Sequence, residues 1–319
     1  MKTKEFTMTT LNGMVYGLFA TLIIGVIVQQ FGALLNIDII EVTLANTLKG
    51  LMGVGIGMGI ALSLKMNGLK MVVASIMGGI ATSFKVQLAF GVQPEIILGT
   101  NNDPVTTYFV VVVGILFLQK VLIKRTPIDI LLIPLLGTII AFILTLGFSG
   151  PIGLGLDYIS IGIERATLYA PFPMSIIIAV VMGMLLTAPI SSAAIAIAIN
   201  LDGIAGGAAV VGTTVQMIGF AIQSRKDNNL GMVLSIAFGT SMLQFKNILK
   251  KPMIWLPTII ASAIISPIIV LTLNTETSMF GAGMGSSGLV GQLQTLYEMN
   301  YSLNAWISIA LMIGLAALL

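Results

Sequence analysis

Along this chain, apolar residues run for about 20 positions at a time, and polar residues gather in short clusters between the runs. A helix needs about 20 apolar residues to cross a bilayer, whereas a β-barrel shows short alternating segments. The pattern therefore predicts an all-α integral membrane protein. Its first five spans fall at about 11–35, 48–64, 71–90, 105–117 and from Pro127 to near Gly147. The glycines at 53, 55, 57 and 59 predict close helix packing in the second span, since small residues let backbones approach. Hydrophobicity falls over 148–173, where Tyr158, Tyr169 and Phe172 suit a headgroup-level segment. After it the pattern restarts. Met58-Gly59 is echoed by Met182-Gly183, Gln87, Phe90 and Gln93 by Gln216, Phe220 and Gln223, and Leu118-Gln119 by Leu243-Gln244, about 125 residues apart. The echoes point to a four-span unit used twice, parallel because four is even. With a first and a last span (301–319) this makes about ten transmembrane helices in one polytopic domain. Its parts are 1–43 (first span), 44–150 (repeat 1), 151–172 (interfacial segment), 173–275 (repeat 2) and 276–319 (glycine-rich segment and last span).

One stretch breaks the helical pattern outright. Residues 278–292 read SMFGAGMGSSGLVGQ, with five glycines between Gly281 and Gly291. Each costs a helix roughly 1 kcal/mol relative to alanine. Irregular backbone at membrane depth is tolerated only where protein buries it or where it lines a wet cavity. The stretch is expected to re-enter the protein and offer Ser286 and Ser287 to a polar site; a flexible external loop is the plain alternative. Gly283 to Gly288 also spells GxGxxG, but no strand and no βαβ unit surround it.

Composition narrows the chemistry. The 319 residues are 57% hydrophobic and 8% charged, with mean hydropathy +1.06; soluble proteins carry about 25% charge. Residues 1–10 precede a full-length apolar segment with no small-residue cleavage site, so they do not read as a cleavable signal. With the N-terminus cytoplasmic, ten of the fifteen basic residues fall at cytoplasmic ends, as the positive-inside rule asks. Arg225 and Lys226 fall on the wrong side, which suggests that 228–245 does not fully cross. The net charge of +3 sits in loops, and nothing resembles a nucleic-acid surface. The chain has no cysteine and no histidine, so it offers no thiolate, phosphocysteine, phosphohistidine or common transition-metal ligand. No cofactor, metal or catalytic residue is expected.

Polar groups inside spans are costly and tend to face a cavity or a partner helix. Asn101, Asn102 and Asp103, with Thr106 and Thr107, precede a helix that Pro104 can start; they suit sugar hydroxyls, or simply cap a helix. Ser191 and Ser192 follow the helix-breaking Pro189, as in the discontinuous helices of carriers, a plain kink being the alternative. Thr213, Thr214 and Gln216 lie within a span and suit either a ligand or inter-helix bonds. Thr240, Ser241, Gln244 and Asn247 form a helical stripe that lines a pathway or marks an interfacial helix. Lys85 and Asp129 are the charges expected inside spans.

Four runs carry a resemblance: KRTPIDILLIPLLG (124–137), MGMLLTAPISSAAIAIAI (182–199), GTSMLQFKNILKKPMIWLPTIIASAI (239–264) and GAGMGSSGLVGQ (281–292). Together they resemble the enzyme IIC-like membrane family of the bacterial sugar phosphotransferase system, in the stand-alone branch that includes perfringolysin-regulator-like proteins. The resemblance implies a homodimeric inner-membrane permease that binds a sugar-like solute and moves it inward, with phosphorylation by separate IIA/IIB partners. The Gly-Ile-Thr-Glu signature of sugar IIC subunits is missing, so the candidate site rests on the polar clusters: Asn101, Asn102, Asp103, Ser191, Ser192, Gln216, Ser241, Gln244, Ser286 and Ser287. Two other functions fit the same sequence. One is a membrane sensor that keeps the fold and binds without transport; the other is an ion-coupled secondary carrier.

Overall fold

The structure is a computed structural model that describes every residue except 1–2, 67, 89–93, 100–102, 122–127, 189–191 and 319, together with all side chains outside these but those of 3, 4, 30, 34, 121 and 246. The chain divides into two compact units, Met1–Asp157 and Tyr158–Leu319.

In the first unit, α1 (Thr3–Leu18) continues through a π-turn into α2 (Ile24–Leu35), and a second π-turn leads to α3 (Ala45–Gly50). Next come α4 (Met52–Ser63) and α5 (Leu69–Ser83). The α4 glycines serve two neighbours alternately. A Cβ at Gly53 or Gly57 would run into α5 at Gly78 or Ala74, one at Gly59 into α1 at Gly13, and one at Gly55 into Thr21 of the π-turn that follows α1. One small-residue helix is thus wedged between two others, and the packing predicted for this run is the packing observed.

The third span is shorter than the sequence suggested. Helix α5 ends at Ser83, and β1 (Phe84–Gln87) pairs antiparallel with β2 (Glu95–Leu98). Alternation explains it: Phe84 is buried and Gln87 exposed, a period-two pattern at the tail of an apolar run. Lys85 therefore lies in a strand. Ser149 Oγ holds this hairpin by accepting from Val86 N at 3.0 Å. Then follow α6 (Pro104–Val121) and α7 (Asp129–Tyr169). Helix α7 does not end near Gly147; it runs unbroken through Pro151 into the second unit. Proline removes one donor, and here that costs the helix a bond without ending it. Asp129 is the first residue of α7, in its first turn.

The second unit is built on α10 (Gly203–Gln223), about 31 Å long and almost wholly buried. Around it stand α8 (Pro171–Thr187), α13 (Leu256–Leu273) and α16 (Leu303–Leu318), while α9 (Ser192–Ala198) leads into its N-terminal end. Gly212 of α10 meets Ala179 of α8 backbone to backbone. Two segments fold back on themselves. The first holds α11 (Leu230–Leu234), a π-turn to Gly239, a 3-10 turn (Ser241–Gln244) and α12 (Phe245–Lys250). The second holds α14 (Met279–Ala282), a 3-10 turn (Ser287–Leu289) and α15 (Val290–Glu298).

Against the ten spans expected, four helical stretches among the described residues are long and apolar enough to cross: Glu5–Ala33, Asp129–Tyr169, Gly203–Gln223 and Pro252–Leu273. The pair Ile39–Gly50 and Met52–Ser63, bent by 45°, would make a fifth. Other apolar helices, of 10–17 residues, fall short of that length. Of the sequence echoes, Met58-Gly59 and Met182-Gly183 both lie in α-helices, α4 and α8, whereas Gln87 lies in β1 and Gln216 in α10, and Gln119 in α6 and Gln244 in a 3-10 turn.

Candidate functional site

The two fold-back segments enter the second unit from opposite ends of α10. At the α10 C-terminus the chain leaves through Ser224 and Asp227, which line the same groove as Gln244, Asn247, Lys250 and Lys251. Residues 228–245 therefore depart and return on one side. Arg225 and Lys226 consequently share an end with Lys250 and Lys251, which removes the conflict seen in the sequence. At the α10 N-terminus, Thr277 N donates to Gly203 O at 3.3 Å, and the Asp202 carboxylate accepts from Met279 N. The returning end of that segment, Glu298, lies beside Asp202 and Glu276. Partial burial, then these two carboxylates, raises its pKa above the ordinary value.

The tips of the two segments meet. Ser286 Oγ, fully buried, donates to Ala237 O at 2.5 Å. Gly285, at φ +53°, lies against the Thr213–Thr214 backbone in mid-α10, where a Cβ would overlap the Thr213 carbonyl carbon at 2.7 Å. Left-handed φ and lack of room both select glycine there. Gly283 makes the third contact, its carbonyl accepting from Ser192 Oγ at 2.6 Å. Ser192 is the first residue of α9, and α8 has already stopped at Thr187. Ala188 between them is extended, as the residue before a proline must be.

The amides around this junction are only partly satisfied. Gln216 Oε1 accepts from Trp255 Nε1 at 3.1 Å and Thr258 Oγ1 at 2.9 Å. Indole N–H is a donor only, so this fixes the amide orientation and leaves Nε2 pointing elsewhere. Gln216 Nε2 is buried without a partner. On another side of α10, Gln292 Nε2 donates to Thr214 Oγ1 at 2.9 Å, while its Oε1 is buried and unpaired. Unmet buried polar groups cost about 1–3 kcal/mol each, so a donor and an acceptor held in this state are candidates for a polar ligand.

The predicted site residues do not all converge. Asp103 lies in the first unit and caps α6, accepting from Thr106 N and Thr106 Oγ1, both at 2.7 Å. Asn101, Asn102 and Ser191 lie outside the described residues. Ser192, Gln216, Ser241, Gln244, Ser286 and Ser287 belong to the second unit. Ser241 is buried and bonds Thr187 at 2.9 Å, and Ser287 is half-buried beside Ser286. The expected stripe from Thr240 to Asn247 is broken. Thr240 is extended, with φ −161° and ψ 136°, and caps the 3-10 turn. Ser241 consequently faces α8, while Gln244 and Asn247 face the groove. The sequence reading missed Gln292, Ser278 and Gln294, the last two bonded at 2.5 Å. Their signal was available, since glutamine recurs at 292 and 294 just after the glycine run.

The family model described as phosphotransferase system, EIIC, matches residues 8–319. No curated protein and no solved structure matches the chain. With apolar helices, two fold-back segments and a family match over nearly its whole length, the chain belongs to the EIIC family of the phosphotransferase system, the membrane-embedded permease component.

Proposed function

We propose that the second unit binds a small uncharged solute, a sugar or polyol, where its two fold-back segments meet, and passes it across the bacterial inner membrane. The observation that carries this reading is the pair of half-used amides, Gln216 on α10 and Gln292 on α15 beside it. Gln216 offers an N–H donor and Gln292 a carbonyl acceptor, both buried and unpaired. Hydroxyl-rich solutes supply both partners. Segments that enter from opposite ends and touch at their tips also leave a short barrier, which suits alternating exposure of one site.

The end bearing Lys250 and Lys251 faces the cytoplasm in this reading. Arg225, Lys226, Lys250 and Lys251 gather there, against Arg165 near the acidic end, the asymmetry that the positive-inside rule requires. Lys2 and Lys4 favour a cytoplasmic N-terminus by the same rule. Phosphoryl transfer would come from separate IIA/IIB partners, because the chain has no Cys or His to carry phosphate. The homodimer and the kinship with perfringolysin-regulator-like proteins rest on the sequence resemblance alone.

The test begins with a thermal-shift screen of the purified protein against sugars and polyols, then uptake of the best binder into proteoliposomes with and without IIA/IIB. Gln216→Glu keeps an acceptor for Trp255 and Thr258 but removes the amide donor. It should weaken solute binding at least tenfold while the protein stays folded. Unchanged affinity would place the solute elsewhere, and binding without uptake under any condition would favour a sensor.

A further inference from the structure

The groove at the Lys-rich end of the second unit does not contain the orphaned amides, and its chemistry differs from theirs. It holds about 410 Å³, within the range of small-molecule sites. Phe220 and Ile254 form its apolar wall, and Gln223, Ser224, Asp227, Gln244, Asn247, Lys250 and Lys251 its polar one. Gln244 is only 7% exposed. Its Oε1 is occupied by Asn247 Nδ2 at 2.9 Å, while its Nε2 makes no bond to the described residues and is not sealed within protein. A nearly buried side chain thus presents an unused N–H donor to a cavity edged by two ammonium groups.

Lysine at a helix C-terminus is ordinary, since it complements the dipole there. Helix α12 has six residues and a correspondingly weak dipole, yet two successive lysines and an amide donor converge on one groove beside it. For an uncharged solute, two adjacent ammonium groups add little beyond what amides already give. A phosphate ester, by contrast, forms charge-assisted bonds with both, and Asp227, Asn247 and Gln223 remain to bond its hydroxyls.

We infer that this groove is a binding site for a sugar or polyol phosphate, the phosphorylated form of the solute, held at the cytoplasmic mouth before release. The inference rests on the phosphorylation-coupled reading for its physiological meaning, but the site can be tested without transport.

Purified full-length protein in detergent, free of anionic lipid, is titrated calorimetrically with a panel of hexose and hexitol phosphates, the matching unphosphorylated compounds and inorganic phosphate. At least one ester should bind tenfold or more tightly than both its parent and inorganic phosphate, and added salt should weaken it. The double variant Lys250→Gln/Lys251→Gln should lose that binding tenfold or more with its unfolding midpoint retained, and Gln216→Glu should keep it. If inorganic phosphate binds as tightly as every ester, the groove is a plain anion site and the inference fails. It fails equally if no ester binds or if the lysine variant binds like the parent protein. Loss of ester binding in Gln216→Glu would merge this site with the membrane site and also overturn it. Failure of the membrane-site reading appears separately, as unchanged affinity for the unphosphorylated solute in Gln216→Glu.

Discussion

Gly283→Ala tests the junction of the fold-back segments most directly. The residue sits at φ −94°, ψ 0°, which alanine adopts freely, so backbone strain plays no part. What the methyl meets is backbone: the Ser192 carbonyl oxygen, and Ala193 Cα and N at 2.6 Å. No rotamer change can relieve contacts with main-chain atoms. Ordinary contact begins near 3.4 Å and the Ser192 oxygen is the nearest atom, so α9 and the hairpin must part by about 1 Å. The same movement stretches the 2.6 Å bond from Ser192 Oγ to Gly283 O close to its breaking point. Overpacking of this kind costs about 1–3 kcal/mol, and a buried hydroxyl and carbonyl parted from each other cost about 1–3 kcal/mol more. A loss of roughly 2–6 kcal/mol follows. Unfolding in mixed micelles, followed by helicity across an SDS titration, measures it. Gly162→Ala is the control: the position is exposed in α7 with nothing within 4 Å, and removing a helical glycine should stabilise by about 0.5–1 kcal/mol. If Gly283→Ala unfolds within about 0.5 kcal/mol of the parent, α9 and the hairpin do not pack as described, and the proposed site loses one wall.

Asp103→Ala removes an N-cap from α6 and should cost about 0.5–2 kcal/mol of stability without changing solute affinity; a tenfold loss of affinity would return Asp103 to the binding site. Glu298, at the end of α15 and outside the spanning helices, carries a pKa raised by partial burial, then by Asp202 and Glu276. The fold therefore favours its protonated form. That contribution is complete below the ordinary value of 4.5 and is lost as pH rises through the higher folded value. Hydrogen exchange of 276–298 should accordingly quicken as pH rises through that window, after correction for the intrinsic rate. Glu298→Gln should flatten the dependence, and an unaltered pH profile in that variant would mean the three carboxylates do not interact.

The apolar runs revealed a membrane-embedded helical protein, because burying or lipid-exposing a 20-residue helix needs one composition only. They do not fix the number of crossings, for the same reason. A fold-back segment surrounded by protein is as apolar as a span, so 228–245 reads like one until Ser224 and Asp227 are seen beside Gln244 and Lys251. The charges held the clue, since Arg225 and Lys226 fit the orientation only if that segment returns. Glycine marked its positions well. At Gly53, Gly57, Gly59, Gly283, Gly285 and Gly291 its presence corresponds to backbone contacts that a Cβ would forbid, a requirement that leaves little choice of residue.

Polar residues were harder to interpret, and side-chain length is the cause. A helical serine or threonine can return its hydroxyl to a carbonyl one turn back, as Thr213 does to Ala209 at 2.8 Å and Thr295 to Gly291 at 2.9 Å. Most hydroxyls singled out in the sequence are consumed in this way or by one neighbour: Ser286 by Ala237, Ser192 by Gly283 and Ser241 by Thr187. Glutamine has no such local outlet. Its amide carries both donors and acceptor lone pairs, which must be met across helices or left open. Gln216 meets α13 through its oxygen, and Gln292 meets α10 through its nitrogen. The unpaired half of each faces away from the bond that holds it. Rigid attachment at one end with a free partner at the other is what a binding group requires, because the bound geometry then costs no further side-chain ordering. Under the function proposed here the buried glutamines, more than the serines, would therefore hold the solute.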